Sequence, residues 1–437
     1  MLCESGNLTE ALKFLQEDSH NATSSSVQRA EAMGVLLQAC GRQKDIDTGR
    51  KVHDMVSALT QFSNHFVLNT RLVTMYSMCG YPSDSRSIFD GLQKKNLFLW
   101  NALVSGYARN ELYDDAIERF IELISVTEFK PDKFTLPCVI KACAGLLDVE
   151  LGQAIHGMAV KIGLIANVFV GNALIAMYGE CGSVEKALQM FESMPERNLV
   201  SWNSMIRGFS ENGFSRESYN LLRGILEVEE GFVPDVATIV TVLPVTTLEG
   251  DVAMGMLIHG LAVKLGLCEE LMVNNALMDM YSKCGYISEG HFLFGWNDKK
   301  NVVSRNSMIG GLARKGDVCG AFDLLRRMQM EKEKVKVNEV TILNVLPACS
   351  EELELMNLKE LHGYSIRHGF HYDELVSNAF IAAYAKCGSL SYAEHVFYGI
   401  EIKTVSSWNA LIGGYSQNSD PRKALDFYFK MIQKYTF

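Results

Sequence analysis

The 437-residue chain has little proline and little tryptophan, 8 and 4 residues. It has no excess of positive charge: 41 Lys and Arg stand against 51 Asp and Glu, a net charge of −10. A bulk-cationic nucleic-acid binder is therefore disfavoured, and RNA contact would need a local groove. There is no Cys-x-x-C and no His-x-Glu, so the zinc-ribbon and zinc-deaminase signatures are absent. The N-terminus, MLCESGNLTEALKFLQ, lacks a signal-peptide layout, and its Glu content does not suit an organellar transit peptide. One uncharged run, Ile162 to Gly179, reaches 18 residues, the lower limit for a membrane span. It contains Asn167, Asn172 and three glycines, and it reads as a loop followed by a helix.

Apolar residues are plentiful, at 48%. That excludes a disordered or collagen-like polymer. Length alone suggests about three domains. The spacing of single residues suggests something else. His53, His156, His259 and His362 follow at intervals of 103. Tyr76, Tyr178, Tyr281 and Tyr384 follow at 102, 103 and 103, as do Asn101, Asn203, Asn306 and Asn409. Cys79, Cys181, Cys284 and Cys387 sit in the Cys-Gly motifs YSMCG, YGECG, YSKCG and YAKCG. A fixed period is the mark of a repeat architecture. Cysteines at equivalent places in stacked units are poor disulfide partners, so they read as reduced, small, buried residues. The histidines lie three units apart, roughly 25 Å at the usual helix spacing, and read as packing residues.

Each unit reads as two short helices. Over 199–235, Trp202, Met205, Ile206 and Phe209 fall on one helical face. Asn212-Gly213 stops that helix, and Ser215 is the expected cap of a second one carrying Tyr219 and Leu222 inward. Gly182 and Gly388 are similar stops, with Ser183 and Ser389 as expected N-caps. Trp100, Trp202 and Trp408 share an apolar phase and read as core and not as stacking platforms for bases. Glu-Lys-Glu-Lys at 331–334 reads as a solvated helix end and loop, and Gly310-Gly311 lacks a phosphate-loop context. A lone helix pair buries too little surface, so stacked pairs must share a continuous core. Boundaries at 30–65, 66–96, 97–132, 133–167, 168–198, 199–235, 236–270, 271–301, 302–338, 339–373 and 374–404 cut eleven units, cycling through about 35, 31 and 36–37 residues. Residues 1–29 form a partial unit and polar linker, and 405–437 a nearly complete terminal one. A tetratricopeptide array would hold 34 residues throughout.

The length cycle, the Cys-Gly motifs, ERNLVSWNSMIRGFSENG and VGNALIAMYGECGSVEKAL resemble the plant pentatricopeptide repeat family, in its subclass of alternating long, short and standard repeats. The resemblance covers residues 30–437. It implies an all-α fold, a right-handed superhelical α-solenoid of stacked helix-turn-helix repeats. It also implies single-stranded RNA binding with one base per repeat.

In the family the fifth and last residues of a repeat choose the base. Here Thr70 with Asn96 resembles the adenine combination. Asn101 with Asp132, and Asn203 with Asp235, resemble the uracil combination. Asn172 with Asn198, Asn275 with Asn301, and Asn306 with Asn338 resemble pyrimidine readers that favour cytosine. Asn378 with Thr404 departs from the common pairs, and Asn409 holds the fifth place of the terminal repeat. The long repeats carry Pro137, Val240 and Leu343 there, which offer no side-chain hydrogen bond, so their bases stay open. The second residue sandwiches the base: Val67, Phe98, Phe169, Val200, Met272, Val303 and Leu375 suit this, and Glu31 does not. At position thirteen Arg109, Lys283, Arg314 and Lys386 would meet phosphate, whereas Met78, Glu180 and Glu211 would not. The expected target is A-U-n-Y-U-n-Y-Y-n-Y, read 5′ to 3′ as in the family.

The resemblance further implies a mitochondrial or chloroplast RNA partner and a role in organellar RNA processing or C-to-U editing. A deaminase or other editing factor would act in trans. No cofactor, DNA or membrane partner is expected. The sequence begins and ends inside a repeat, as a piece of a longer protein would. The competing reading is a protein-binding scaffold, favoured by the acidic balance. Nothing in the sequence supports an autonomous enzyme.

Overall fold

In the computed structural model, residues 7–21, 25–59, 65–227, 231–296, 300–330, 336–351 and 355–435 are described; the 331–334 charge run lies outside them. The described residues are helical, with no strand among them. They fall into two compact units, Met1–Phe232 and Val233–Phe437.

The first unit opens with α1 (Leu8–Asn21). Six helix pairs follow: α2 (Ser26–Gln43) with α3 (Ile46–Ala58), α4 (Phe66–Met78) with α5 (Pro82–Gly91), α6 (Leu97–Arg109) with α7 (Tyr113–Val126), α8 (Thr135–Leu146) with α9 (Val149–Lys161), α10 (Val168–Glu180) with α11 (Val184–Ser193), and α12 (Leu199–Glu211) with α13 (Ser215–Glu227). The second unit holds six more: α14 (Val236–Glu249) with α15 (Val252–Lys264), α16 (Leu271–Lys283) with α17 (Ile287–Trp296), α18 (Val302–Arg314) with α19 (Val318–Met330), α20 (Glu339–Glu351) with α21 (Leu355–His368), α22 (Glu374–Lys386) with α23 (Leu390–Gly399), and α24 (Val405–Gln417) with α25 (Pro421–Tyr435). Within each unit the first helix of a pair packs on its own partner and on the first helix of the next pair. This is an α-solenoid arrangement, as the period implies.

The short units owe their length to one element. Their second helices, α5, α11, α17 and α23, have 10 residues each. The glycines of the Cys-Gly motifs, Gly80, Gly182, Gly285 and Gly388, turn the chain ahead of these helices with φ between +70° and +87°. A side chain there would meet its own backbone.

Packing between neighbouring first helices depends on small residues. A Cβ on Gly106 would lie 2.2 Å from Ser77 Oγ, and one on Gly414 would lie 2.6 Å from Ala385 Cβ. Asparagines next to these contacts tie the helices together. Asn110 Nδ2 donates to the carbonyls of Ser77 and Gly106, and Asn212 and Asn418 repeat the bonds to Gly179 and Gly208 and to Ala385 and Gly414.

The periodic histidines are packing residues with a defined partner. Each sits 2.9–3.1 Å by Nδ1 from the periodic tyrosine hydroxyl: His53–Tyr76, His156–Tyr178, His259–Tyr281 and His362–Tyr384. Each ring meets the tyrosine edge-on. Burial holds all four imidazoles below their ordinary pKa. Trp100 and Trp408 are buried and Trp202 is half-buried. Their rings stand edge-on to Phe89, Phe397 and Phe191. Ile162–Asn167 is loop and α10 follows, as expected. No helix of the described residues is long and apolar enough to cross a membrane.

Three local expectations need correction. Ser215 is the first residue of α13 and not its cap: the Phe214 carbonyl already accepts from the Ser218 N–H. Ser183 and Ser389 are the N-caps of α11 and α23 as expected, without a side-chain capping bond. α2 begins one turn before residue 30, because Ser25 and Gln28 form a capping box. Cys40, Cys143 and Cys349 are buried, and burial pushes the Cys143 thiol up to about 12. The cysteines of the Cys-Gly motifs, by contrast, are C-caps and only half-buried.

Candidate nucleic-acid interface

At 100° per residue, places two, five, nine and thirteen of a first helix share roughly 80° of arc. The apolar side of the helix is used for packing, so this arc is the face left over. Its second-place residues are exposed although apolar. Val67, Phe98, Phe169, Val200, Met272, Val303 and Leu375 are between 49% and 66% accessible. Glu31 is also exposed, but it lies in the second turn of α2. A single exposed valine needs no explanation, but one at the same helical place in seven repeats does.

Three places further along stand the fifth-place amides. Asn101 Nδ2 donates to Asp132 Oδ1 at 3.1 Å, Asn172 to Asn198 Oδ1 at 3.2 Å, Asn275 to Asn301 Oδ1 at 3.3 Å and Asn306 to Asn338 Oδ1 at 3.1 Å. The structure thus brings together four of the pairs singled out by the sequence. The last residue of each pair also accepts from the first turn of the next first helix, Asn198 and Asn301 as its N-cap and Asp132 from two places before the Phe134 N-cap of α8. Asp132 accepts from the Thr135 N–H, Asn198 from Ser201, Asn301 from Ser304 and Asn338 from Thr341, all at 2.8–3.1 Å. Asn96 and Asp235 cap in the same way. The capping role fixes each of these side chains in place.

Burial pushes the Asp132 carboxyl up, but hydrogen bonds from Thr135, Phe134 and Asn101 outweigh it and hold the pKa below the usual carboxylate value. Asp132 is therefore an ionised acceptor at neutral pH, whereas Asn198, Asn301 and Asn338 carry both a donor and an acceptor.

Other pairs behave differently. Thr70 turns its hydroxyl back to the Phe66 carbonyl while Asn96 caps Leu99. The Thr404 hydroxyl bonds the Glu374 carboxylate and not Asn378. Asn203 belongs to the first unit and Asp235 to the second. Asn409 is exposed. Pro137, Val240 and Leu343 are half-buried.

Arg109, Lys283, Arg314 and Lys386 are exposed near the C-terminal ends of the same helices. Lys283 is bound 2.7 Å from Asp279, one turn back on α16. Two clefts run along this face. One, of about 410 Å³, is lined by Thr70, Phe98, Asn101, Arg109, Phe134 and Cys138 among others. The other, of about 640 Å³, includes Met272, Asn275, Lys283, Val303, Asn306 and Arg314. Asn344, also on this second cleft, went unnoticed in the sequence; its Nδ2 donates to the Asn306 carbonyl at 3.0 Å. Its place, one beyond Leu343, is the only signal that would have found it.

A family model described as PPR repeat matches residues 98–126, 172–199, 200–227, 303–332 and 406–435. A pentatricopeptide repeat-containing protein of Arabidopsis thaliana is 57% identical over 435 residues, covering 98% of this chain and 45% of that protein. A second from the same plant, named chloroplastic, is 33% identical over 434 residues, covering 98% of this chain and 49% of its own. A third, named mitochondrial, is 31% identical over 400 residues, covering 91% and 57%. The chain spans about half the length of these relatives. The crystal structure of the pentatricopeptide repeat protein PPR10 in complex with an 18-nt psaJ RNA element aligns with a TM-score of 0.51 at 15% identity, covering 99% of this chain and 78% of that one. Five stretches of this chain match the PPR repeat model, and nearly its whole length is similar to plant pentatricopeptide repeat-containing proteins.

Proposed function

We propose that the first-helix face binds single-stranded RNA, one base to a repeat, within an organelle. The observation that carries this reading is the repeated pairing of an exposed apolar second residue with a fifth-place amide bonded to the cap of the next helix. An apolar side chain on either side can sandwich a base, and the fixed amide meets its Watson–Crick edge. Ionised Asp132 would accept from the N3–H of uracil. The Asn–Asn pairs at 172 and 198, 275 and 301, and 306 and 338 would take pyrimidines, favouring cytosine.

In this reading residues 30–404 hold eleven complete repeats in long, short and standard order, with a nearly complete one at 405–437. The ten-residue second helices α5, α11, α17 and α23 support that order. The relatives named chloroplastic and mitochondrial support an organellar setting. The chain binds and does not itself catalyse; processing, including C-to-U conversion by a deaminase in trans, is the role we assign to its partners. Binding to A-U-n-Y-U-n-Y-Y-n-Y and to a scrambled oligonucleotide tests the reading. Equal affinities would refute the base assignments. RNA that fails to compete with a bound protein partner would favour a protein scaffold.

A further inference from the structure

At three reader sites the amide is held by a third residue. Thr135 Oγ1 donates to Asn101 Oδ1 at 2.6 Å, Ser304 Oγ to Asn275 Oδ1 at 2.6 Å and Thr341 Oγ1 to Asn306 Oδ1 at 2.7 Å. All three hydroxyl residues are buried, in the first turn of the following first helix. Each hydroxyl also accepts the main-chain N–H of the last residue of the pair, Asp132, Asn301 or Asn338, at 3.2–3.3 Å. That N–H occupies a lone pair, and the one hydroxyl hydrogen has two acceptors in reach: the Oδ1 of the last residue at 2.9–3.1 Å and the amide oxygen, which is nearer at 2.6–2.7 Å and takes it.

An Asn amide has two orientations of similar shape, and only its bonds choose between them. Here the oxygen is taken up by the hydroxyl, and one Nδ2 hydrogen by the last residue of the pair. The second Nδ2 hydrogen is the group that can address a base. We propose that Thr135, Ser304 and Thr341 are positioning residues that set base specificity. They lock the reader amide with a donor facing the cleft, so that it selects a base with a carbonyl there, such as a pyrimidine. A flipped amide would present its oxygen and accept from an amino group, as adenine offers. This inference rests on the RNA-binding reading above.

The Asn172 site is a built-in contrast. Ser201 forms the same capping box with Asn198 as Ser304 forms with Asn301. Its hydroxyl donates only to the cap oxygen, Asn198 Oδ1 at 3.1 Å, a contact the other three hydroxyls also make at 2.9–3.1 Å, and Asn172 Oδ1 is buried without a hydrogen-bond partner among the described residues. The cap is the same, but the lock is missing.

The test compares Ser304→Ala with Ser201→Ala in the full chain. Affinity is measured for oligonucleotides that carry cytosine, uracil or adenine opposite Asn275 or Asn172. Ser304→Ala is expected to lower the pyrimidine-over-adenine preference opposite Asn275 by about tenfold, the scale of one hydrogen bond. Ser201→Ala is expected to leave the preference opposite Asn172 unchanged. Ser304→Thr keeps the hydroxyl, as native Thr135 and Thr341 do, and is expected to retain the preference. Both alanine variants lose the same cap, so a purely structural role would move both sites equally. That result, or an undiminished preference in Ser304→Ala, overturns the proposal. Wild-type protein with no preference opposite Asn275 would instead refute the RNA reading itself.

Discussion

Gly106→Ala and Gly208→Ala are the same change at the same helical place in two standard repeats, yet the geometry gives them different signs. In both, Ala gains roughly 0.8–1.0 kcal/mol of helix propensity over Gly. At Gly106 the new methyl lies 2.2 Å from Ser77 Oγ and 2.7 Å from Ser77 Cβ. Ser77 cannot swing away freely, because it is buried and its Oγ donates to Ser85 Oγ at 3.0 Å. Overpacking of this kind costs about 1–3 kcal/mol, so the net change at Gly106 runs from near zero to about 2 kcal/mol of destabilisation. At Gly208 the methyl lies 3.5 Å from Gly179 Cα, an ordinary contact, and the helix gain stands alone. Gly208→Ala is therefore expected to stabilise by up to about 1 kcal/mol. The assay is urea denaturation of each full-length variant, with hydrogen exchange resolved on α6 and α12, since repeat arrays open locally. Adding Ser77→Gly to Gly106→Ala should show a coupling of about 1 kcal/mol or more. Destabilisation of the two helices by equal amounts would refute the close-packing account.

Asn212→Ala removes bonds to the carbonyls of Gly179 and Gly208, and should lower stability by about 1–2 kcal/mol in thermal melts. The four imidazoles have folded pKa values below the unfolded value of about 6.5, so the unfolded chain binds more protons as the pH falls past that value. Stability should then be full above about pH 6.5 and decline as pH drops through the lowered folded values, and His156→Phe should soften that decline in melts from pH 7.5 to 5. If the four exposed position-thirteen cations are the ones that meet phosphate, with one already paired with Asp279, RNA binding should have a shallow salt dependence, with a log–log slope near −3; a slope implying eight or more released counterions would contradict it. Asp132→Asn should move the preference opposite Asn101 from uracil towards cytosine, measured with single-base oligonucleotide variants.

The sequence by itself determined the repeat, the helix pairs and the face that remains free. Helix geometry converts spacing directly into faces: residues such as Met205, Ile206 and Phe209 must lie on one side, and Val200 and Asn203 must lie off it. The glycine of each Cys-Gly motif must turn the chain, because other residues resist positive φ. The pairing of Asn101 with Asp132 was legible for the same reason, since both places recur with the period.

Only the tertiary structure decided which polar groups meet. Thr70 and Thr404 hold the same places as their counterparts, but their hydroxyls turn to Phe66 and Glu374. Ser201 and Ser304 are the same residue in the same capping box, and only one reaches a reader amide. The histidine–tyrosine bonds join residues 22 or 23 apart on different helices, and neither period alone reveals their partner. The physical reason is range. Apolar burial follows area and periodicity and tolerates small displacements. A hydrogen bond depends on a few tenths of an ångström and on the rotamer at both ends, and these are set by how closely neighbouring helices approach.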